Sequence, residues 1–201
     1  MKNCIITQAK DQSFRLKDWI LYHKEEGFDT IIYFDDYSED NSVEVMKNIS
    51  SKYNINIIIN YSDNIGNRKT KQEMTNSNSY GGDISINNRL IRSYNTGLKI
   101  ARGLNTDSIC AIIDVDEFLV SNCDKKVVDV ISDMMIEKKT LNIFILTLLI
   151  DSAYFDKMNV DNYDPLRIHH YRNPCMDKSF KFVEDRKLLD KMIKIKEKYE
   201  V

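Results

Sequence analysis

The chain has 201 residues, a length typical of one domain. Its 29 basic and 31 acidic side chains give a formal net charge of -2, which argues against a protein-wide electrostatic footprint for nucleic acid. Hydrophobic residues make up 42% of the chain, but no apolar run approaches the roughly 20 residues of a membrane span. The N-terminus turns polar after Ile6, too early for a secretion signal. We therefore expect a globular, cytoplasmic protein with no membrane span.

The first half of the chain alternates short apolar runs with helical patterns. β-Branched and aromatic runs predict strands, and apolar residues spaced by three and four predict helices. In chain order these patterns give a strand at 4–6, a helix at 13–26 capped by Gly27, a strand at 30–34, a helix beginning near Asn41 or Ser42 and reaching Tyr53, and a strand at 55–59.

The second half begins with a long polar segment, residues 60–83, which predicts a loop. Beyond it the patterns predict a helix at about 86–102, an apolar strand at 108–113 covered on both faces, a helix at 125–138, a strand at 141–150, an irregular region at 151–178 and a helix at 187–199. The alternation predicts an α/β fold with a mostly parallel sheet flanked by helices, in a single domain over residues 1–201. Ligands of such sheets bind beyond the carboxyl ends of the strands.

The four cysteines form no C-x-x-C pair, and no histidine falls at zinc-finger spacing. Cys4 and Cys110 lie within apolar runs, which favours small core residues over a disulfide or a metal site. His23 falls on the apolar face of the first helix and is predicted to be a core histidine.

The run Asp114-Val115-Asp116-Glu117 follows an apolar strand and is the strongest chemical signal in the chain. Asp114 and Asp116, two residues apart on a strand end, are expected to point to the same side, roughly 7 Å apart. Partly buried carboxylates so close repel each other, so that one pKa must rise unless a cation neutralises them. Hard oxygen ligands suit Mg²⁺ or Mn²⁺ together with phosphate oxygens. The run predicts a metal–diphosphate site; the alternative is a solvated acidic loop.

A second acidic segment, residues 35–40, follows the strand at 30–34. Asp35 or Asp36 can recognise a base or ribose, or the acids and serines of the segment can cap the next helix. The segment alone does not separate these two interpretations.

These segments resemble the family-2-like and family-92 glycosyltransferases, in the family's order. The matching blocks are 7–10 (TQAK), 16–23 (LKDWILYH), 27–29 (GFD), 33–40 (YFDDYSED) and 113–119 (IDVDEFL), which together span roughly residues 4–120. The first block departs from the family's Arg-Asn-Glu, so its backbone rather than its side chains is expected to act.

The resemblance implies a GT-A fold, with a nucleotide-binding part at about 1–120 and a small acceptor part at about 121–201. It implies a nucleotide-diphospho-sugar donor, usually UDP-linked, and Mn²⁺ or Mg²⁺. It places Asp116 on the metal, and Asp114, with Val115, beside the metal and the ribose. The nucleoside is expected near the stretch Thr7-Gln8-Ala9 and near Asp35 or Asp36.

Transfer also requires groups that the motifs do not supply. Arg68, Lys69 and Lys71 in the polar segment, or Arg89 and Arg92, can stabilise the diphosphate charge that develops in the transition state. An inverting reaction needs a base for the acceptor hydroxyl. We predict Asp151 as the first candidate and Asp185 as the second, and His170 as a further metal ligand.

Three other functions are alternatives to this one. A phosphohydrolase whose nucleophile lies in D-x-D would carry that motif after its first strand, and a nucleotidyltransferase would carry a glycine-rich loop there. Neither matches this chain. The third is a non-catalytic nucleotide- or sugar-binding domain. We expect a nucleotide-sugar donor and a glycan or other hydroxyl acceptor as the partners.

Overall fold

A computed structural model describes residues 3–62, 86–104, 109–121, 123–138, 166–170 and 186–199. In chain order its elements are β1 (Cys4–Ala9), α1 (Ser13–Glu25), β2 (Thr30–Asp35), α2 (Ser42–Tyr53), β3 (Asn56–Tyr61), α3 (Ile86–Leu104), β4 (Cys110–Ile112), β5 (Glu117–Ser121), α4 (Val127–Lys138), β6 (Leu166–His170) and α5 (Arg186–Tyr199). The chain divides into a first unit, Met1–Ile20 with Phe28–Val115, and a second unit, Leu21–Gly27 with Asp116–Val201.

The first unit contains a four-stranded parallel sheet in the order β3-β2-β1-β4. Cys4 pairs with Thr30 of β2 on one side and with Cys110 of β4 on the other. Every residue of β1 and β2 is buried, as expected for strands covered on both faces. The predicted α/β architecture with a parallel sheet flanked by helices is therefore confirmed in its general form.

The fourth strand differs from its prediction. β4 has only three residues, and it stands at one end of the described strand order. Ile112 is 42% exposed, so the expected cover on both faces is wrong at this position. Cys4 is buried and Cys110 half-buried, and both are free thiols.

Helix α3 packs directly on the sheet of the first unit. A Cβ on Gly97 would lie 2.6 Å from Cγ2 of Ile6, so the helix backbone approaches β1 more closely than any side chain would allow. The apolar cluster below α3 is formed by Cys4, Ile6, Ile32, Phe34 and Ala101, with Tyr94 and Leu98 packed against it. Ile91 of the same helix is 57% exposed, although it is apolar.

Helix α2 begins where the sequence predicted. Asn41 is its N-cap residue, but its side chain makes no capping bond. The Asp40 carboxylate instead accepts from the Ser42 backbone N–H at 2.9 Å. The helix ends at Asn54, whose left-handed backbone has φ 51°.

The second unit contains an antiparallel pair, β5 and β6, in which Glu117 lies opposite His170. The last turn of α1 lies in this unit and buries His23, as the sequence predicted. His23 Nε2 accepts from the Leu119 backbone N–H at 3.4 Å, and its ring stacks on Phe118. The Tyr22 hydroxyl donates to the Leu119 carbonyl at 3.0 Å.

A buried carboxylate of the second unit joins the end of α1 to α4 and α5. Glu26 follows α1 and is 3% exposed. Its Oε2 accepts from the Val127 backbone N–H at the start of α4, and its Oε1 accepts from Lys191 Nζ of α5. Next to it, Gly27 has φ 98°, and a Cβ there would lie 2.2 Å from Cγ2 of Val128. The predicted cap glycine is thus also required by close packing.

Several strands differ from the sequence predictions. β1 continues to Ala9, past its predicted end at residue 6, and β5 was not predicted. Residues 166–170 form β6, although the whole of 151–178 was expected to be irregular, because pairing with β5 supplies backbone partners that no local pattern shows. β3 continues to Tyr61, past the predicted start of the polar loop at residue 60. The predicted strand at 141–150 lies outside the described residues. None of the described helices is long and apolar enough to cross a membrane.

Candidate functional site

The strand order of the first unit reverses between β1 and β4. The chain passes from β1 to β2 to β3 in one direction and then returns to place β4 on the opposite side of β1. In open α/β sheets such a reversal leaves a crevice at the carboxyl ends of the two strands, where ligands bind. The segments that leave β1 and β4, at Ala9 and Asp114, therefore define the position of the candidate site.

The end of β1 has buried side chains, and it contacts the end of β2 through its backbone. Thr7 and Gln8 are buried, and within the part of the chain that the structure describes Thr7 Oγ1 and Gln8 Oε1 make no hydrogen bond. The Ala9 carbonyl accepts from the Asp36 backbone N–H at 2.9 Å, which joins the ends of β1 and β2.

Asp35, the last residue of β2, is buried and serves its own loop. Its Oδ2 accepts from the Ser38 backbone N–H at 3.2 Å, and the Tyr33 hydroxyl lies 3.5 Å from its Oδ1. Burial, together with the neighbouring Asp35 charge, raises the pKa of Tyr33 well above its ordinary value. The interpretation in which these acids stabilise the following turn thus applies to Asp35.

Asp36 forms a buried ion pair with Arg89 of α3. Arg89 Nε donates to Oδ1 at 2.8 Å and Nη2 donates to Oδ2 at 3.0 Å, while the Ser62 hydroxyl also donates to Oδ1. The side chains of Asp36 and Arg89 are 6% and 11% exposed. Burial opposes the charge of Asp36, but the hydrogen bonds from Arg89 and Ser62 prevail and lower its pKa. Both predicted donor-binding residues are therefore present and already bound to each other.

The remaining acids of this edge hold two loops together. The Asp40 carboxylate accepts from the Ser13 backbone N–H at the start of α1, as well as from Ser42. Burial opposes the charge of Asp40, but these bonds lower its pKa to about 2. Asp11, at φ 52°, accepts from the Glu39 backbone N–H at 2.6 Å. The capping interpretation accounts for these acids.

The acidic run at 114–117 does not continue strand β4. β4 ends at Ile112, and Val115 and Asp116 form a turn that leads into β5. The expectation that strand alternation aligns the two aspartates is therefore wrong, since the backbone turns before Asp116. Val115 is buried, Asp116 is half-exposed and Asp114 is exposed, so the expected burial does not hold for Asp114.

Asp114 is contacted by a residue that the motifs did not indicate. The Tyr94 hydroxyl, on α3, donates to Asp114 Oδ1 at 3.1 Å. Helix α3 thus supplies Arg89 to Asp36 and Tyr94 to Asp114. Tyr94 and Ser62 were missed because each lies more than a dozen residues from its partner. No local pattern reports such a separation.

The donors available for a cation are hard oxygens. Among the described side chains no group of three His, Cys, Asp or Glu is arranged to hold a metal. Mg²⁺ and Mn²⁺ commonly take one or two carboxylates and complete their shells with water and phosphate oxygens. The exposed Asp114 fits this limited role. His170 is placed only by its backbone, opposite Glu117.

Several predicted residues lie outside the part of the chain that the structure describes. They are the two candidate bases, Asp151 and Asp185, and the basic residues Arg68, Lys69 and Lys71. Arg92 lies on an exposed position of α3.

A scan of the chain against protein-family models gives no match. A search of curated proteins finds no significant relative. The resemblance to glycosyltransferases therefore rests on the motifs quoted above.

Proposed function

We propose that the chain is a metal-dependent glycosyltransferase of the GT-A fold. It would move a sugar from a nucleotide-diphospho-sugar, most simply a UDP-sugar, to a hydroxyl of a saccharide or another acceptor. The observation that carries this proposal is the position of Asp114. It leaves β4 at the reversal of strand order, where open α/β sheets bind nucleotides, and it belongs to the D-x-D-E run that resembles the family's metal motif.

The residues at the strand ends have different roles in this proposal. The backbone at Thr7-Gln8-Ala9 and the Asp36–Arg89 pair would meet the nucleoside, since they surround the carboxyl ends of β1 and β2. Asp114 and, two residues later, Asp116 would hold a divalent cation with the diphosphate. The cation supplies positive charge that stabilises the diphosphate as it leaves the sugar.

The ion pair favours nucleoside contact over diphosphate contact for Arg89. Both carboxylate oxygens of Asp36 accept from its guanidinium, so Arg89 would have to break two charge-assisted bonds to reach a phosphate. It is also largely buried. We therefore assign diphosphate neutralisation to the cation rather than to Arg89.

The test is a thermal-shift measurement of the full chain with UDP, with Mn²⁺ and with both. We expect stabilisation only with both; a ligand at a hundred times its dissociation constant adds about 2.7 kcal/mol. Asp116→Ala should abolish this shift and leave the ligand-free melting temperature unchanged. The matched control is Asp133→Ala, which removes an exposed carboxylate on α4 and should preserve the shift.

A UDP-sugar hydrolysis assay with Mn²⁺ then identifies the chemistry. Release of UDP without phosphatase activity supports transfer. Binding without release would replace the proposal by the non-catalytic binding domain. The absence of any metal-dependent shift with UDP-, GDP- or dTDP-sugars would overturn the proposal.

A further inference from the structure

The Tyr94 hydroxyl reaches Asp114 from a rigid support. Tyr94 lies one helical turn before Gly97, where α3 touches Ile6 of β1 without an intervening side chain. Its ring packs on the apolar cluster beneath the helix. The hydroxyl therefore has little freedom to leave Asp114 Oδ1, which it meets at 3.1 Å.

Asp114 needs such a constraint if it is to bind a cation well. It is exposed, and the terminal torsion of an aspartate is broad, so each hydrogen bond to its carboxylate narrows the orientations available to it. The hydrogen bond from Tyr94 to one oxygen restricts the orientation of the carboxylate. A ligand held in its bound orientation loses less entropy on binding.

We propose that Tyr94 is a positioning residue for the cation site: its hydroxyl holds the Asp114 carboxylate in the orientation that binds the divalent cation. This inference rests on the proposed function. Tyr94 does not touch the cation or the donor in this assignment. It acts through Asp114. Helix α3 would thus have two separate roles, one at Asp114 through Tyr94 and one at Asp36 through Arg89.

The test compares Mn²⁺ affinity of the full chain with saturating UDP, measured by electron paramagnetic resonance of free Mn²⁺. Tyr94→Phe keeps the ring in the apolar cluster and removes only the hydroxyl. We expect the Mn²⁺ dissociation constant to rise about tenfold, the usual effect of losing a residue that orients a metal ligand. The ligand-free melting temperature should hardly change, because the lost bond is exposed.

Tyr199→Phe is the matched control. It also removes one phenol that binds a carboxylate, that of Glu25 in the second unit, and it should leave the Mn²⁺ affinity unchanged. A double-mutant cycle with Asp114→Asn, which keeps one oxygen ligand, shows whether Tyr94 acts through Asp114. On that background Tyr94→Phe should have little further effect.

The outcomes separate this inference from the proposed function. If the unchanged protein binds Mn²⁺ with UDP and Tyr94→Phe binds it equally well, the positioning role is wrong and the proposed function stands. An equal loss of affinity with and without Asp114→Asn also overturns the role. If the unchanged protein binds no Mn²⁺ with UDP, both fail.

Discussion

Both units of the chain contain a buried carboxylate that pairs with a basic side chain, but the two pairs are built differently. Asp36 of the first unit receives two bonds from Arg89, which is itself nearly buried. Glu26 of the second unit receives one bond from Lys191, whose side chain is 36% exposed, and one from a backbone N–H at the start of α4.

The difference follows from what each carboxylate connects. Glu26 joins helix ends, where an unsatisfied backbone N–H is available and a flexible lysine suffices. Asp36 lies just beyond a strand end at the carboxyl edge of the parallel sheet, and among the described residues its carboxylate accepts from the side chains of Arg89 and Ser62. Its partner must therefore supply several fixed donors, which arginine provides and lysine does not. We infer that the pair in the first unit preserves the shape of the candidate site.

The largest expected effect is the loss of the arginine. Arg89→Met should destabilise the chain by about 3 kcal/mol or more, because it leaves the Asp36 charge buried without its cation. Lys191→Met should cost about 1 kcal/mol, since its ammonium is partly solvated and Glu26 keeps its backbone donor. Urea denaturation of both variants measures the comparison. Equal losses would mean that the two pairs are energetically equivalent.

The two close-packed glycines sharpen the comparison. Gly27→Ala should cost about 3 kcal/mol, because it combines a positive φ with overlap of Val128. Gly97 has ordinary helical backbone, so Gly97→Ala adds only the overlap of the new Cβ with Ile6. It should cost about 2 kcal/mol. Thermal unfolding of the two variants tests the order. A milder effect at Gly27 would show that α4 can move away from the turn after α1.

The smallest expected effect is a dependence on pH. The pKa of Asp36 is lowered in the folded chain from its usual 3.8, so its ionised form contributes stability above that value. This stability is lost as the pH falls below about 4, through the folded pKa. Between pH 5 and pH 3 the free energy of unfolding should therefore fall less for Asp36→Asn than for the unchanged chain. Asp133→Asn, at an exposed carboxylate, is the control.

The order of the elements from β1 to β4 could be predicted from the sequence because it depends on local patterns. The strands around Ile5, Ile31 and Ile57, the helix capped by Gly27 and the C-terminal helix all follow from apolar spacing and turn residues. The position of an acidic run after β4 could also be predicted. These features are set by neighbouring residues, and the folded structure only places them.

The tertiary structure decided the features that depend on distant residues. The strand order, with its reversal between β1 and β4, is a matter of pairing, and so is the strand β6. The contacts of Arg89 with Asp36 and of Tyr94 with Asp114 span 53 and 20 residues. They form because the close approach of α3 to β1 at Gly97 brings its side chains over the strand ends. Side chains so far apart in the chain meet only once the sheet and helix have packed, and no local pattern records that meeting.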